Sequence, residues 1–260
     1  MSNKLSDRIW IWGHPEDSFN EFLKAPPAVE VTPAQGMRYL GAKNVFYVPF
    51  GHPMDLIRYS KDLEGASRTG LSVERWGDIH SDPLEKTFGL AGNFKNIDRM
   101  VYDDFFNNGP LPHIKCWNEY SIPDLVKDRE KIHNAGLEMW VVLYQHQLDM
   151  EIDRHLQVFD GVSFWFWNEP SKEDYHQYSA KFLEKTAGKK HLIGCYLYNF
   201  GLEKEAAPEL VKYQMDHNLE LVKQGELEGI VLHNNALGGY GFAAYKEAKK
   251  WMDLHADMVL

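Results

Sequence analysis

Short runs of β-branched and aromatic residues alternate along the chain with longer segments whose apolar positions recur at helical spacing. Eight such runs can be read: 8–13, 44–50, 71–77, 97–106, 137–144, 161–167, 191–198 and 227–233. Such alternation is the signature of repeated βα units and a parallel sheet. The segments between them carry helix punctuation. Ser121-Ile-Pro-Asp opens a helix that stops at Asn134-Ala-Gly136, and Pro170-Ser-Lys-Glu-Asp opens another that ends at Ala187-Gly188. Pro208 begins a third, closed by Gln224-Gly225, and a fourth follows Gly238-Gly239 and runs through Trp251. The stretch from Phe19 to Gly36 reads as loop plus a short helix, and Asp62 to Gly70 is ambiguous. Eight strand and helix repeats in 260 residues predict the α/β class and one domain, a single (β/α)₈ TIM barrel over residues 1–260, the even spacing favouring closure over an eight-stranded open sheet.

Composition narrows the partners. With 38 acidic against 28 basic side chains the formal charge is -10, and no Lys/Arg-dense run is present, so neither nucleic acid nor an anionic membrane is an expected partner. No apolar stretch approaches the ~18 residues of a membrane span. The chain as it stands reads as soluble and cytoplasmic, or as periplasmic or secreted if a signal peptide has been removed. Cys116 and Cys195 are far apart and read as structural thiols. No glycine-rich phosphate loop of either common form follows a strand, and no cofactor is expected.

In barrels of this kind the chemistry sits at the C-terminal ends of the strands. Those ends are polar here. They carry His14, then His52, then Glu74, Arg75, Trp76, Asp78 and His80, then Asp103-Asp104, Tyr144-Gln145-His146, Trp167-Asn168-Glu169-Pro170, Tyr196, Tyr198 and Asn199, and His233-Asn234. Asp103 and Asp104 are the strongest signal, because acids at a strand end cost several kcal/mol unless charge, hydrogen bonds or function offset them. One aspartate could cap a turn through an Asx hydrogen bond. Two adjacent carboxylates are harder to explain that way, since they raise one another's pKa. Glu169 has a structural reading of its own, as an acid beside Pro170 where the next helix opens.

Asn168-Glu169-Pro170 resembles the Asn-Glu-Pro motif of barrel glycoside hydrolases such as the cellulases, in which the Glu is the acid/base. Those enzymes carry the motif after strand four, whereas here it follows the sixth run. A carboxylate after strand four and another after strand six is the placement found in retaining α-galactosidase-like barrels. The Asp-Asp-Phe-Phe strand end is similar to that of uncharacterised single-barrel proteins. The resemblance implies a glycoside hydrolase acting on a carbohydrate, with Asp103 or Asp104 opposing Glu169 as the catalytic pair. His14, His52, Trp76, Tyr144, Gln145, His146, Trp167, Asn168, Tyr198, Asn199, His233 and Asn234 would stack on or hydrogen-bond the sugar. No metal is expected in this reading. Its rivals are a metal-dependent barrel isomerase or hydrolase, with His14, His52, Asp104, His146, Glu169 and His233 as candidate ligands, and a non-catalytic sugar-binding barrel.

Overall fold

The computed structural model describes residues 3–23, 30–50, 55–62, 64–73, 83–107 and 120–260. Eight strands form a closed parallel barrel: β1 Ile9–Gly13, β2 Asn44–Tyr47, β3 Arg68–Ser72, β4 Ile97–Tyr102, β5 Glu138–Tyr144, β6 Gly161–Trp165, β7 Lys190–Tyr196 and β8 Gly229–His233. Each pairs with its sequence neighbours, and β8 closes on β1 in the register Ile9↔Ile230 to Trp12↔His233. The helices that follow them are α1 Pro33–Leu40, α2 Leu56–Asp62, α3 Pro83–Asn93, α4 Ile122–Asn134, the single-turn α5 Asp153–Leu156, α6 Lys172–Lys185, α7 Pro208–Lys223 and α8 Ala243–His255. Among the described residues no helix is long and apolar enough to cross a membrane.

The period of two along each strand splits the apolar residues between two cores. On β1, Ile9 and Ile11 join the layer between barrel and helices, while Trp10 and Trp12 point inward with Phe46, Val101, Trp140, Trp165 and Val231. Indoles of this size fit inside an eight-stranded barrel because glycines face them. A Cβ on Gly194 would lie 2.0 Å from the ring of Trp165, and one on Gly161 would lie 2.4 Å from that of Trp140. Gly194→Ala is therefore expected to cost about 1–3 kcal/mol, the range for overpacking a filled core. Gly89→Ala, on α3 with nothing within 4 Å of the added methyl, should stabilise by roughly 1 kcal/mol through helix propensity. Opposite shifts in thermal midpoint check the pair, and equal shifts would count against the packing account.

The helix punctuation acts as expected. The Ser121 and Ser171 hydroxyls accept the Asp124 and Asp174 amides at the starts of α4 and α6. Gly136 and Gly188 take left-handed φ values of 77° and 81° just past their ends. In the less regular first half, α1 is preceded by a capping box, with the Thr32 amide on Gln35 at 2.8 Å and the Gln35 amide on Thr32 at 3.2 Å. The third strand needs a correction, since it spans Arg68–Ser72 and starts three residues before the run read at 71–77, of which 74–77 lie outside the described residues. Two features that disguise a strand in sequence cause the shift. Gly70 leaves room for the Phe46 ring, and Arg68 is held by Asp98 and Glu228 at the barrel floor.

Candidate active site

The strand ends enclose a cavity of about 110 Å³, open to solvent and lined by Trp12, His14, Asp103, Asp104, Tyr144, Trp165, Trp167, Tyr196 and His233, with loop rings Phe19, Phe50 and Phe200. Strand alternation places most of these. On β4 the inward series passes through Val101 and continues to Asp103, just as β1 continues from Trp12 to His14. Asp104 would point away by this rule. A left-handed φ of 51° turns it back, a conformation that aspartate tolerates better than most residues. Its amide bonds Asp103 Oδ1 at 3.0 Å, and its own Oδ1 accepts the Tyr144 hydroxyl at 2.9 Å. The two carboxylates thus share one cleft, one by strand parity and the other by the turn.

Burial pushes the Asp104 carboxyl above the ordinary aspartate range, against hydrogen bonds from Tyr144 and Asn107 and the nearby His146, which favour its ionised form. Burial, followed by the neighbouring phenol and carboxylates, holds Tyr144 well above its usual value; burial and the two aspartates do the same to Tyr196. Both phenols therefore stay protonated as donors. The opposite wall carries two imidazoles with their Nε2 atoms 3.3 Å apart. His14 Nδ1 bonds the Val48 carbonyl at 2.7 Å and so carries the hydrogen, while His233 Nδ1 accepts from Asn234 Nδ2 at 3.0 Å. That assignment makes His233 Nε2 the donor to His14. Burial lowers His14 to about 4 despite the Val48 bond, and burial followed by the charge of His14 lowers His233 well below its ordinary value. The pair is neutral near pH 7.

Glu169 lies elsewhere. With Asn168, Tyr198 and Asn199 it lines a neighbouring crevice of about 20 Å³, room for a water rather than a sugar, which shares Trp167 and Tyr196 with the main cleft. Its Oε1 accepts the Ala207 amide at 2.8 Å and its Oε2 accepts Asn199 Nδ2 at 3.3 Å, with Lys204 Nζ at 3.8 Å. It precedes the Ser171 cap instead of opening the helix, and it clamps the loop after β6 to the one after β7. Glu169→Gln should therefore lower stability by about 1–2 kcal/mol, for a lost charge-assisted bond, and leave turnover within about threefold. A loss of turnover of a hundredfold or more, with the fold intact by circular dichroism, would return Glu169 to the chemistry.

The other residues named from the sequence support the cleft or lie outside the described residues. Gln145 Oε1 accepts the Trp167 amide at 2.7 Å, and the exposed His146 stacks on Tyr144 with centroids 5.6 Å apart. Asn234 is buried and also accepts the Leu237 amide at 3.3 Å. His52, Trp76, Glu74, Arg75, Asp78, His80 and Cys116 lie outside the described residues. Cys195 is buried, accepts Asn218 Nδ2 at 3.4 Å, and has its thiol pushed up to about 12 by burial. Among the described residues no group of three or more His, Cys, Asp or Glu side chains could hold a metal ion.

Trp12, Trp165 and Tyr196, the last read as a strand end but given no role in the site, were missed as site residues, with the loop rings and with Asn107 and Gln147 behind Asp104. Parity offered a signal for the first three, since counting back by two from Trp167 or His14 reaches Trp165 or Trp12, and from Tyr198 reaches Tyr196. No local signal marks Asn107 or Gln147.

The molecule is a closed parallel (β/α)₈ barrel with an acidic, aromatic cleft at its C-terminal face. No family model matches the sequence, and no curated protein matches it. Among solved structures it is similar to the PgaB (BpsB) glycoside hydrolase domain from Bordetella bronchiseptica, with TM-score 0.58 and 10% identity over 96% of this chain and 99% of that one. It is similar to a probable 2-pyrone-4,6-dicarboxylic acid hydrolase from Acinetobacter baumannii, with TM-score 0.55 and 14% identity over 95% and 92% of the two chains. A tryptophan synthase alpha-subunit from Pyrococcus furiosus gives TM-score 0.54 and 12% identity over 97% and 98%. Identities this low carry the fold alone.

Proposed function

We propose that this barrel is a glycoside hydrolase whose site is the main cleft. The observation that carries the reading is a half-buried carboxyl with a raised proton affinity, Asp104, beside a second carboxylate in an aromatic-walled cavity at the strand C-termini. Protonated Asp104 donates to the glycosidic oxygen as the bond from that oxygen to the anomeric carbon breaks, and the electron pair leaves with the oxygen. Asp103, in the same cleft, stabilises the cationic sugar centre. Water adds to that centre and returns a proton to Asp104. Asp103 is assigned this role in place of Glu169 because both oxygens of Glu169 are engaged in the loop clamp. Trp165, Trp167 and Tyr196 offer faces to the sugar, and the Tyr144 phenol fixes the acid.

A panel of 4-nitrophenyl glycosides, varied in sugar and anomer, tests the reading by nitrophenol release from the wild type and from Asp104→Asn. Release that depends on Asp104 supports it. No release from any member, or equal release from the variant, would overturn it.

A further inference from the structure

We infer that Gln147 is a positioning residue which, acting through Asn107, directs a hydrogen-bond donor onto Asp104 and so governs when that acid gives up its proton. As a role for the reaction this rests on the reading above; as a statement about the Asp104 carboxyl it does not.

The direction of the chain of bonds is fixed at its origin. A backbone N–H can only donate, and the Tyr144 amide donates to Gln147 Oε1 at 2.9 Å. That leaves Gln147 Nε2 at the other end of the side chain, where it donates to Asn107 Oδ1 at 3.2 Å. With its oxygen taken, Asn107 presents Nδ2 to the Asp104 carboxylate, to which it is hydrogen-bonded. The Tyr144 hydroxyl reaches the same carboxylate at 2.9 Å. One residue of β5 therefore begins the relay with its main chain and ends on the same acid with its phenol.

Gln147 is 1% exposed and is not itself among the residues that line the cavity. A carboxamide that only filled space there would need no particular orientation. An oriented one decides whether Asn107 offers Asp104 a donor or an acceptor, and a donor favours the ionised acid. Burial alone would hold the proton too firmly for an acid that must release it in every cycle, and the two donors oppose that. The other titratable groups bearing on Asp104 are Asp103 on its own strand end, Tyr144 and His146 on and after β5, and Tyr196 on β7. His14 and His233 line the far wall. Tyr144 meets Gln147 through its main-chain amide, while its phenol goes to Asp104.

The test is a ¹³C NMR titration of the Asp104 carboxyl, assigned by difference from Asp104→Asn, in the wild type, Gln147→Met, Asn107→Leu and the double variant. The acid should titrate at least about half a unit higher in each single variant, roughly a threefold change in its ionisation constant. The double variant should shift no further, because the two residues act in series. Gln147→Glu keeps the acceptor for the Tyr144 amide, removes the donor and adds a charge, so it should shift Asp104 at least as far as Gln147→Met. If the Gln147→Met protein folds poorly, Asn107→Leu, which leaves the Tyr144 bond intact, tests the donor, and Gln147→Glu tests the relay. An unshifted Asp104 in Gln147→Met or Gln147→Glu, or single shifts that add in the double variant, would overturn the inference. The alkaline limb of kcat/KM should move up with the NMR value. If Asp104→Asn keeps full glycosidase activity the function proposed above fails, and the NMR titration still decides this inference.

Discussion

Asp104→Asn should lower kcat/KM on a cleaved aryl glycoside by about 10²–10⁴, the usual worth of a positioned general acid, and it should make the protein more stable at pH 7. Asparagine suits the left-handed backbone at this position and still accepts the Tyr144 hydroxyl, so the fold is preserved. The stability gain follows from linkage. The folded state holds the Asp104 proton more tightly than the unfolded chain does, since burial raises this carboxyl above 3.8. Between 3.8 and the raised value, stability falls as pH rises, and above the raised value the full cost of the half-buried charge persists. Asparagine removes that cost. The thermal midpoint of Asp104→Asn relative to the wild type should therefore be higher at pH 7 than at pH 4. The gain should vanish as pH falls towards 3.8. Melting curves at pH 7 and pH 4, run beside the glycoside assay, check both halves, and a variant that is active and no more stable at pH 7 would refute them together.

The largest loss of stability is expected at the opposite end of the barrel. Arg99 on β4 is fully buried, its guanidinium 4.4 Å from the Trp10 ring and 4.3 Å from that of Trp140. Nε bonds Asp98 at 2.9 Å, and Nη2 bonds Glu228 at 3.0 Å and lies 3.7 Å from Glu138. The sandwich uses both properties of the group, since the flat faces stack on indoles while the edges meet carboxylates. Arg99→Ala leaves a void between two rings and removes a counter-charge from the carboxylates around it. It should cost about 3–5 kcal/mol, as for breaking a buried pair from one side, and lower the thermal midpoint by roughly 10 °C. Arg99→Lys should recover only part of this, because an ammonium cannot lie flat between indoles. The strand-end cleft is remote from this floor, so turnover by folded Arg99→Ala at low temperature should match the wild type. A midpoint within about 2 °C of the wild type in Arg99→Ala would show that the stack is dispensable.

Arg99 lies within β4 and Asp104 two residues past its end, yet they differ in how far the sequence reveals them. Asp103 and Asp104 follow directly on an apolar run, and their place at a strand end could be read from that run alone. Arg99, within the run, looks like an interruption until the Trp10 and Trp140 faces arrive from two other strands and the Glu228 carboxylate from the residue before β8. Glu169 carries a strand-end signal as good as that of the aspartates, and the same local pattern places it in a different cavity. The sequence holds no measure of which way the chain turns after the last paired residue.

The barrel and the helix boundaries of its second half were determined by the sequence itself, because strands show as short apolar runs and helix ends demand caps, requirements met within a few residues of chain. Strand three escaped because its glycine and arginine answer to Phe46, Asp98 and Glu228, which are distant in sequence. Tertiary structure alone decided the composition of the cleft. Inward or outward facing is fixed by register and by the φ of one residue, Asp104, and the orientation of Asn107 depends on Gln147, 40 residues away. Hydrogen bonds of that kind are set by closure of the barrel, which brings β4 and β5 side by side, and they leave no periodic trace along the chain.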